Sequence, residues 1–590
     1  MKHPSASDIS LPDTTSSDLM YVTVVPALRT IPGVEIFDYA VDAKSDLRTG
    51  NIIRVPFRKK LIPGLVIESK KNSAYAAKAK MIEDTTVLLD IGKSGCQLLD
   101  ATAERTQSSR PSVLASWIRQ IPKRALPFRP AVRQLSLQDN GDEIVYSLNP
   151  TIDLISQAKT LSGRTLIVVP WISQAQKIAS ALDIPSLDST TAMAKAWNTL
   201  KAFSESSATM LVTTKIGAWL SSVADTVLVL EPENDDHKQD ELSPRYDARW
   251  MVSWAHRLRH DLALKSFCLT PRLGSDDFPD FDIAADIIRE PITKASRSDI
   301  RGISSVSLNR LREALEDGRD IFLIHPVSGL RARHTCSDCG WQAACSSCGF
   351  GLSVVGGAGL CKKCGRRNQP LPTVCPNCQG TKFDRSIAGV ETIKAALEKS
   401  LETNKLTTLT TTQAFETEFP SSSFVLLTDL DLLAGALEDI RRRERLIIAW
   451  RRLSAKILAS SSTLMVQGKE ASLADCLVWL TSQGLKTAWT KELEDRALFG
   501  YPPAKRLIKL LVDGEPNTAH EVFKNLSATV PEGFRLNGPF PVPFRADTRK
   551  PRWVIQLSCP KEIRDLELSG LLKPFRAMAL IDLDPIAFFS

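Results

Sequence analysis

Eight of the chain's twelve cysteines fall in four C-x-x-C pairs: Cys336/Cys339, Cys345/Cys348, Cys361/Cys364 and Cys375/Cys378. A C-x-x-C turn aims two thiolates at one ion, and two such turns complete a tetrahedral S4 shell. The pattern therefore predicts two closed zinc sites, two Zn2+ per chain. Twelve residues separate Cys348 from Cys361, a natural spacing for a ribbon hairpin, whereas only five separate Cys339 from Cys345. A nested arrangement follows. The outer site uses Cys336, Cys339, Cys375 and Cys378; the inner site uses Cys345, Cys348, Cys361 and Cys364. His334 is adjacent but not needed, because cysteine alone fills both shells. A disulfide cluster is the bland alternative, disfavoured because nothing in the chain suggests secretion. A redox dithiol would need one pair, not four. Closed shells leave no position for a water, so these metals should fold the module and perform no chemistry. Cys96, Cys268, Cys476 and Cys559 read as ordinary buried thiols.

The elements that position these cysteines belong to a long chain. Its 590 residues allow several domains, and 43% hydrophobic with 24% charged residues is the make-up of ordinary globular domains. A formal charge of +8 permits nucleic-acid binding without demanding it. The first 18 residues are polar, lack an apolar signal core and read as a disordered tail. No window holds about 18 uncharged apolar residues, so no membrane span and no membrane partner is expected. The chain reads as cytoplasmic.

From Met20 the texture changes to short β-branched runs broken by Gly and Pro, which predicts a small β domain over 19–82. Within it stand Phe37-Asp38-Tyr39, Gly50, Val55-Pro56-Phe57, the basic Arg58, Lys59 and Lys60, and Gly64. This order of residues resembles the N-terminal domain of the PriA family, the primosomal protein N′ of bacterial replication restart. The resemblance implies capture of a nascent-strand 3′ end, with Phe37, Asp38 and Tyr39 at the terminal nucleotide. The residue types suit such a role. An aromatic face stacks on a base, a carboxylate accepts from a base edge or terminal hydroxyl, and cations cover phosphates. The alternative is that Phe37 and Tyr39 are alternate residues of a strand, one of them in the core.

Residues 83–139 carry helical spacing and, with the family order, predict a winged-helix-like domain. Gly92-Lys93-Ser94 lacks the first glycine of a phosphate loop and is expected not to follow a strand, so it reads as accidental. From about 140 to 297 apolar runs alternate with helical stretches, as in a parallel sheet with crossover helices. Lys238-Gln239, Pro244-Arg245-Tyr246 and Ala248-Arg249 resemble the first lobe of a superfamily 2 helicase. Residues 298–480 resemble the second lobe, with a zinc-binding insertion at 334–380 and Gly389-Val390-Glu391-Thr392 leading out of it. Residues 481–590 resemble the family's C-terminal domain, through Glu492-Leu493, Arg496 and Tyr501-Pro502-Pro503. There Arg549, Lys550, Arg552 and Trp553 form a basic, aromatic cluster that suits DNA, or else a surface turn beside an interior tryptophan.

The departures from the family bear on chemistry. A phosphate loop needs glycines whose N–H groups cradle phosphates, and a Lys with a Ser or Thr for the β/γ-phosphates and Mg2+. The expected place, LQDNGDEIVYSLNPTIDL, has one glycine and no G-K-[ST]. Where the family has D-E-E-H, this chain has Leu230-Glu231-Pro232-Glu233, so Leu230 replaces the metal-binding Asp. The segment DIRRRERLIIAWRRL resembles the family's D-F-R-A-x-E-R, but the V-A-G-R-A-G-R that should follow is replaced by WRRLSAKI. Arg441, Arg442, Arg443 and Arg445 could line DNA or simply be a solvated helix face. The G-T-Q-M motif is missing too.

The expected molecule is a multidomain α/β protein: a small β domain, a winged helix, two degenerate RecA-like lobes with a two-zinc insertion, and a C-terminal α+β domain. The lost motifs imply no ATPase or helicase activity, while the resemblance implies binding to forked DNA and nascent-strand 3′ ends and a nucleoid-associated place in the cytoplasm. It also implies primosome partners: the replicative helicase, its loading proteins and single-stranded DNA-binding protein. The rivals are an active ATP-dependent 3′-5′ helicase with divergent motifs, a zinc-ribbon protein of RNA or transcription, and a scaffold without nucleic-acid affinity.

Overall fold

The computed structural model describes residues 19–587 apart from 30–34, 59, 119–121, 123–124, 130–141, 241, 284–286, 293–297, 299, 301, 327–333, 340, 342, 347–351, 356–357, 362–365, 385–389, 434–439 and 543–550. The chain divides into two compact units. One comprises 1–142, 158–229 and 237–265; the other comprises 143–157, 230–236 and 266–590. Several sheets flanked by helices make it an α/β molecule, as the sequence predicts.

In the first unit, strand Leu19–Pro26 pairs antiparallel with Phe37–Asp42 on one side and Lys60–Lys70 on the other. Asn51–Phe57 completes a hairpin with Lys60–Lys70, and Leu89–Asp90 adds to its outer edge. Successive residues of a strand point to opposite faces. Val22, Val24, Val55 and Val66 accordingly fill a small core on one face. Val25, Ile52 and Leu65 on the other face join a larger core with helices Gly92–Arg105 and Arg110–Trp117. That core continues into the parallel strands Thr165–Val168, Met210–Thr213 and Thr226–Leu230, and Trp117 stacks on Trp219 at 5.5 Å. The helix pair is thus packed on the β sheet through shared apolar residues.

Two motif glycines have steric causes. Gly50 sits at φ +101°, and a Cβ there would lie 2.5 Å from Gly92; a Cβ on Gly64 would meet Val24 Cγ1 at 2.6 Å. Gly92-Lys93-Ser94 does follow a strand, contrary to expectation, but a two-residue one. The strand lies in the antiparallel sheet, and Gly92 opens the helix with no intervening loop.

In the second unit, five strands run parallel in the order Ile287–Pro291, Thr463–Gly468, Phe424–Leu427, Ile321–Ile324, Leu406–Leu409. Both faces are covered. Phe322, Ile324, Val425 and Leu427 enter one core, and Ile321, Leu323, Phe424 and Leu426 enter the other. Near-continuous apolar runs are what a doubly covered parallel sheet requires. The cysteine module lies between strand Ile321–Ile324 and helix Val390–Leu401. It contains the antiparallel pairs Thr335–Cys336 with Phe383–Asp384 and Ser353–Val355 with Ala358–Leu360. At the end of the chain an antiparallel sheet, ordered Arg535–Pro541, Arg552–Pro560, Lys505–Asp513, Leu580–Leu583, packs against helices Pro516–Ser527 and Asp565–Leu572. No described helix is long and apolar enough to cross a membrane.

Candidate functional site

The strand pair Thr335–Cys336 and Phe383–Asp384 closes the base of the cysteine module. It brings Cys336, Cys339, Cys375 and Cys378 together, with all four Sγ atoms within 4.8 Å of one another. Cys336 and Cys378 are 3.5 Å apart, and Cys339 and Cys375 are 3.6 Å apart, at their sulfurs. These distances are far beyond a disulfide bond of about 2.05 Å. They are close to the roughly 3.8 Å edge of a tetrahedron built on Zn–S bonds of about 2.3 Å. The Asn377 side chain and the Trp341 backbone N–H lower the Cys339 thiol to about 6, while at Cys378 the Gly380 N–H pulls down but hydrogen bonds with Cys339 and Cys336 outweigh it and raise the thiol to about 12. The four residues fit one closed metal shell. His334 is buried, with its ring stacked on Phe383 at 4.1 Å and Nε2 at 2.6 Å from the Pro372 carbonyl, and so has a packing role. Of the inner set, Cys345 and Cys361 are buried beside Leu352, and Cys345 Sγ accepts from Gln369 Nε2 at 3.2 Å. Cys348 and Cys364 lie outside the described residues.

The first sheet places Phe37, Asp38 and Tyr39 at the start of one strand. Tyr39 is 4% exposed, and its hydroxyl donates to the Pro56 carbonyl at 3.2 Å, so it is a core residue. Phe37 is half-buried, packed edge-on against Phe57 at 5.4 Å. The expected stacking faces are therefore largely used inside the fold. Asp38 is held by three donors. Thr23 Oγ1 reaches Oδ1 at 2.8 Å, while Ser73 Oγ at 2.5 Å and Lys70 Nζ at 2.9 Å reach Oδ2. Burial pushes the Asp38 carboxyl up, but Lys70, Ser73 and Thr23 together outweigh it and keep the group below the usual carboxylate range. None of these three donors is legible in the sequence, because they approach Asp38 from residues 15 to 35 positions away. Arg58 and Lys60 flank the hairpin turn and are exposed; Arg58 has φ +51° and its guanidinium lies 5.8 Å from the Phe57 ring centre. Lys59 lies outside the described residues, as do Arg549 and Lys550. Arg552 is paired with Asp513 at 2.5 Å, and Trp553 is half-buried with its indole N–H donating to the Gly514 carbonyl at 2.9 Å. The interior reading of Trp553 is the one its packing favours.

Residues 143–157, 230–236 and the arginine run at 441–445 fall in the second unit. Strand Asp142–Tyr146 passes to helix Pro150–Ala158 through Ser147, Leu148 and Asn149 alone. A helix start binds phosphate through free N–H groups and a favourable dipole. Here Pro150 has no N–H, the Asn149 N–H donates to Ser147 Oγ, and those of Ile152 and Asp153 donate to the Asn149 carbonyl. Asp153 also sets a negative charge in the first turn. Leu230 is fully buried. Glu231 follows at φ +51° and pairs with Arg452 at 2.6 Å.

Two members of the arginine run, Arg441 and Arg445, enter a ladder of ion pairs and so are not simply a solvated face. Asp235 pairs with Arg441 at 2.8 Å and with Arg445 at 3.1 Å. Arg441 pairs with Glu444 at 3.1 Å, Glu444 with Arg496 at 3.0 Å, and Arg496 with Glu492 at 2.8 Å. Arg496 also donates to the Pro502 carbonyl at 3.2 Å, which ties Glu492, Arg496 and the Tyr501-Pro502-Pro503 segment into one arrangement. Burial pushes the Glu444 carboxyl up, but Arg441 and Arg496 outweigh it and bring it to about 2.

Two family models match this chain. One, described as the 3′DNA-binding domain (3′BD), matches residues 28–118 and so includes both helices packed on the first sheet. The other, the primosomal protein N C-terminal domain, matches residues 497–586. The chain is also similar to the replication restart protein PriA of Haemophilus influenzae, 23% identical over 330 residues that cover 48% of this chain and 44% of that protein. A second relative, the replication restart protein PriA of Thermotoga maritima, is 22% identical over 202 residues, 31% of this chain and 26% of that protein. The matched stretches span less than half the length of either relative.

Proposed function

The chain belongs to the PriA family, and from that premise we propose that it is a replication restart protein that binds abandoned forks without an ATP cycle of its own. Its first domain would engage the nascent-strand 3′ end, and the fork's duplex arms would bind through phosphate contacts whose affinity falls steeply with salt. The helicase-like lobes would serve as scaffold. Two zinc ions would fold the insertion, one of them in the Cys336, Cys339, Cys375, Cys378 shell. The protein would work in the cytoplasm at the nucleoid, alongside single-stranded DNA-binding protein, and would help load the replicative helicase.

One observation carries the non-catalytic part of this reading. Of the positions that would serve a nucleoside triphosphate, one is a buried leucine, Leu230, and one carboxylate, Glu231, is ion-paired within the fold. Glu231 stands where the water-orienting carboxylate belongs, yet Arg452 neutralises it. The helix start that would cradle phosphates carries Pro150, which has no N–H, and Asp153, whose charge opposes an anion.

The test is ATP hydrolysis by the purified, zinc-replete chain with and without forked DNA, beside binding of the same fork. Salt-sensitive fork binding with no hydrolysis above background is the expected result. DNA-stimulated hydrolysis would instead establish an active helicase with divergent motifs. Competition by single-stranded RNA over forked DNA would favour the zinc-ribbon alternative.

A further inference from the structure

An end site built on Asp38 needs an exposed aromatic face, and the strand that carries Asp38 does not supply a free one. Tyr39 is a core residue and Phe37 is packed on Phe57. The missing face stands on the neighbouring loop. Ser73, whose hydroxyl donates to Asp38, also accepts the backbone N–H of Tyr75 at 3.0 Å. One hydroxyl thus ties the carboxylate to the backbone of an aromatic residue whose surface is 66% exposed.

The loop is not loose. Ala76 N–H returns to the Ser73 carbonyl at 3.2 Å, and Lys78 and Ala79 N–H both return to the Tyr75 carbonyl, forming the short helix Ala76–Lys78. On its far side, Lys80–Met81 pairs in parallel with Tyr39–Ala40, so the loop leaves and rejoins the sheet beside Asp38. An exposed aromatic on such a tethered loop presents its ring at little cost in conformational entropy. Singly exposed aromatics are common and prove nothing alone, so the surrounding charge matters. From Ser69 to Met81 the chain reads SKKNSAYAAKAKM, with Lys70, Lys71, Lys78 and Lys80 and no acidic residue. Lys71, Lys78 and Lys80 are exposed, and Lys70 is engaged with Asp38. A tyrosine set among solvent-facing lysines is the combination that single-stranded nucleic acid uses, with the ring under a base and the cations on phosphates.

We propose that Tyr75 is the platform on which the terminal base of a DNA 3′ end stacks. Lys71 and Lys78 lie at the adjoining phosphates, and Asp38, whose side chain is only 6% exposed, acts from beneath as the positioning residue that fixes Ser73 and Lys70. This assignment rests on the end-binding function proposed above. It moves the stacking role from Phe37 and Tyr39 to a residue 36 positions further along the chain than Tyr39.

The experiment uses the full-length, zinc-replete chain and two forks identical except that one has a nascent-strand 3′ end at the branch and the other lacks it. The terminal base is 2-aminopurine. Tyr75→Ala weakens binding of the fork with the end by roughly 5- to 100-fold. It leaves the fork without the end within about twofold of wild type. Tyr75→Phe retains the preference, and Tyr75→Trp retains it while quenching the 2-aminopurine. If wild type prefers the end and Tyr75→Ala prefers it equally, the assignment of Tyr75 is wrong and the end-binding function stands. If wild type shows no preference, the function and this inference fall together. Tyr75 is on the surface, so a general loss of folding would show as equal losses on both forks and would also count against the assignment.

Discussion

The thiolate cluster around Cys336 and the charge ladder around Glu444 both gather ionisable groups, and they differ in what they still need. Four cysteine sulfurs within 4.8 Å of one another cannot all ionise without mutual repulsion, so a full set of thiolates there calls for a cation. The ladder alternates Glu492, Arg496, Glu444, Arg441, Asp235 and Arg445, three acids and three arginines, so it closes on itself. The first kind of cluster advertises a ligand. The second needs none, since each charge is already answered by a neighbour.

Removing the metal should have the largest effect. Structural zinc contributes on the order of 10 kcal/mol or more to small modules of this kind. Chelation, or Cys375→Ser, is expected to open the pairing of Thr335–Cys336 with Phe383–Asp384. Hydrogen exchange and proteolysis confined to 334–384 would report it, and metal analysis of the native chain would count the ions. Protection of helix Arg442–Leu458 should be unchanged by the same treatment. If the module stayed protected without metal, the contrast between the two clusters would be lost.

The ladder breaks differently. Glu444 is buried between two guanidinium groups, and Glu444→Gln would leave Arg441 and Arg496 short of a counter-charge, at about 3–5 kcal/mol. Its pH dependence has a definite sign. The folded carboxyl is at about 2 against an ordinary 4.5, so its stabilisation is complete above about 4.5 and is lost as pH falls through 2. Exchange protection of helix Arg442–Leu458 should therefore decline between those values in the native chain and much less in Glu444→Gln. An equal decline in both would place the acid sensitivity elsewhere.

These differences track what can be read from the residues alone. The cysteine set is legible because metal ligands come in local pairs with fixed spacing, and each C-x-x-C turn carries its own geometry. The parallel strands are legible because Ile321–Ile324 and Phe424–Leu427 feed two cores and so are apolar throughout. The partners of Asp38 are not, since Thr23, Lys70 and Ser73 meet it only through strand register and a loop return. The arginine run misleads for the same reason. Nothing local in DIRRRER shows that Asp235 and Arg496 will reach it from about 206 residues upstream and 52 downstream. Tyr39 and Trp553 suit a DNA surface by their type, whereas alternation along a strand decides which face each one takes.

The smallest expected effect lies at Arg552, and it sharpens the distinction between a charge that is complete and one still available. Arg552 pairs with Asp513, but both side chains are substantially exposed, at 33% and 55%. A pair of this kind contributes less than about 1 kcal/mol, because water and salt screen it and two side chains must be ordered to form it. Arg552→Ala should thus leave the denaturation midpoint nearly unchanged. Under the proposed function its worth would lie in DNA binding, where the exposed pair would open and hand its guanidinium to a phosphate. If Arg552 does so, Arg552→Ala reduces the slope of log affinity against log salt by about one while the preference for a 3′ end stays the same. If the slope is unchanged, Arg552 belongs with the ladder's arginines as a residue answered within the fold, and the proposed DNA contact at this strand is wrong.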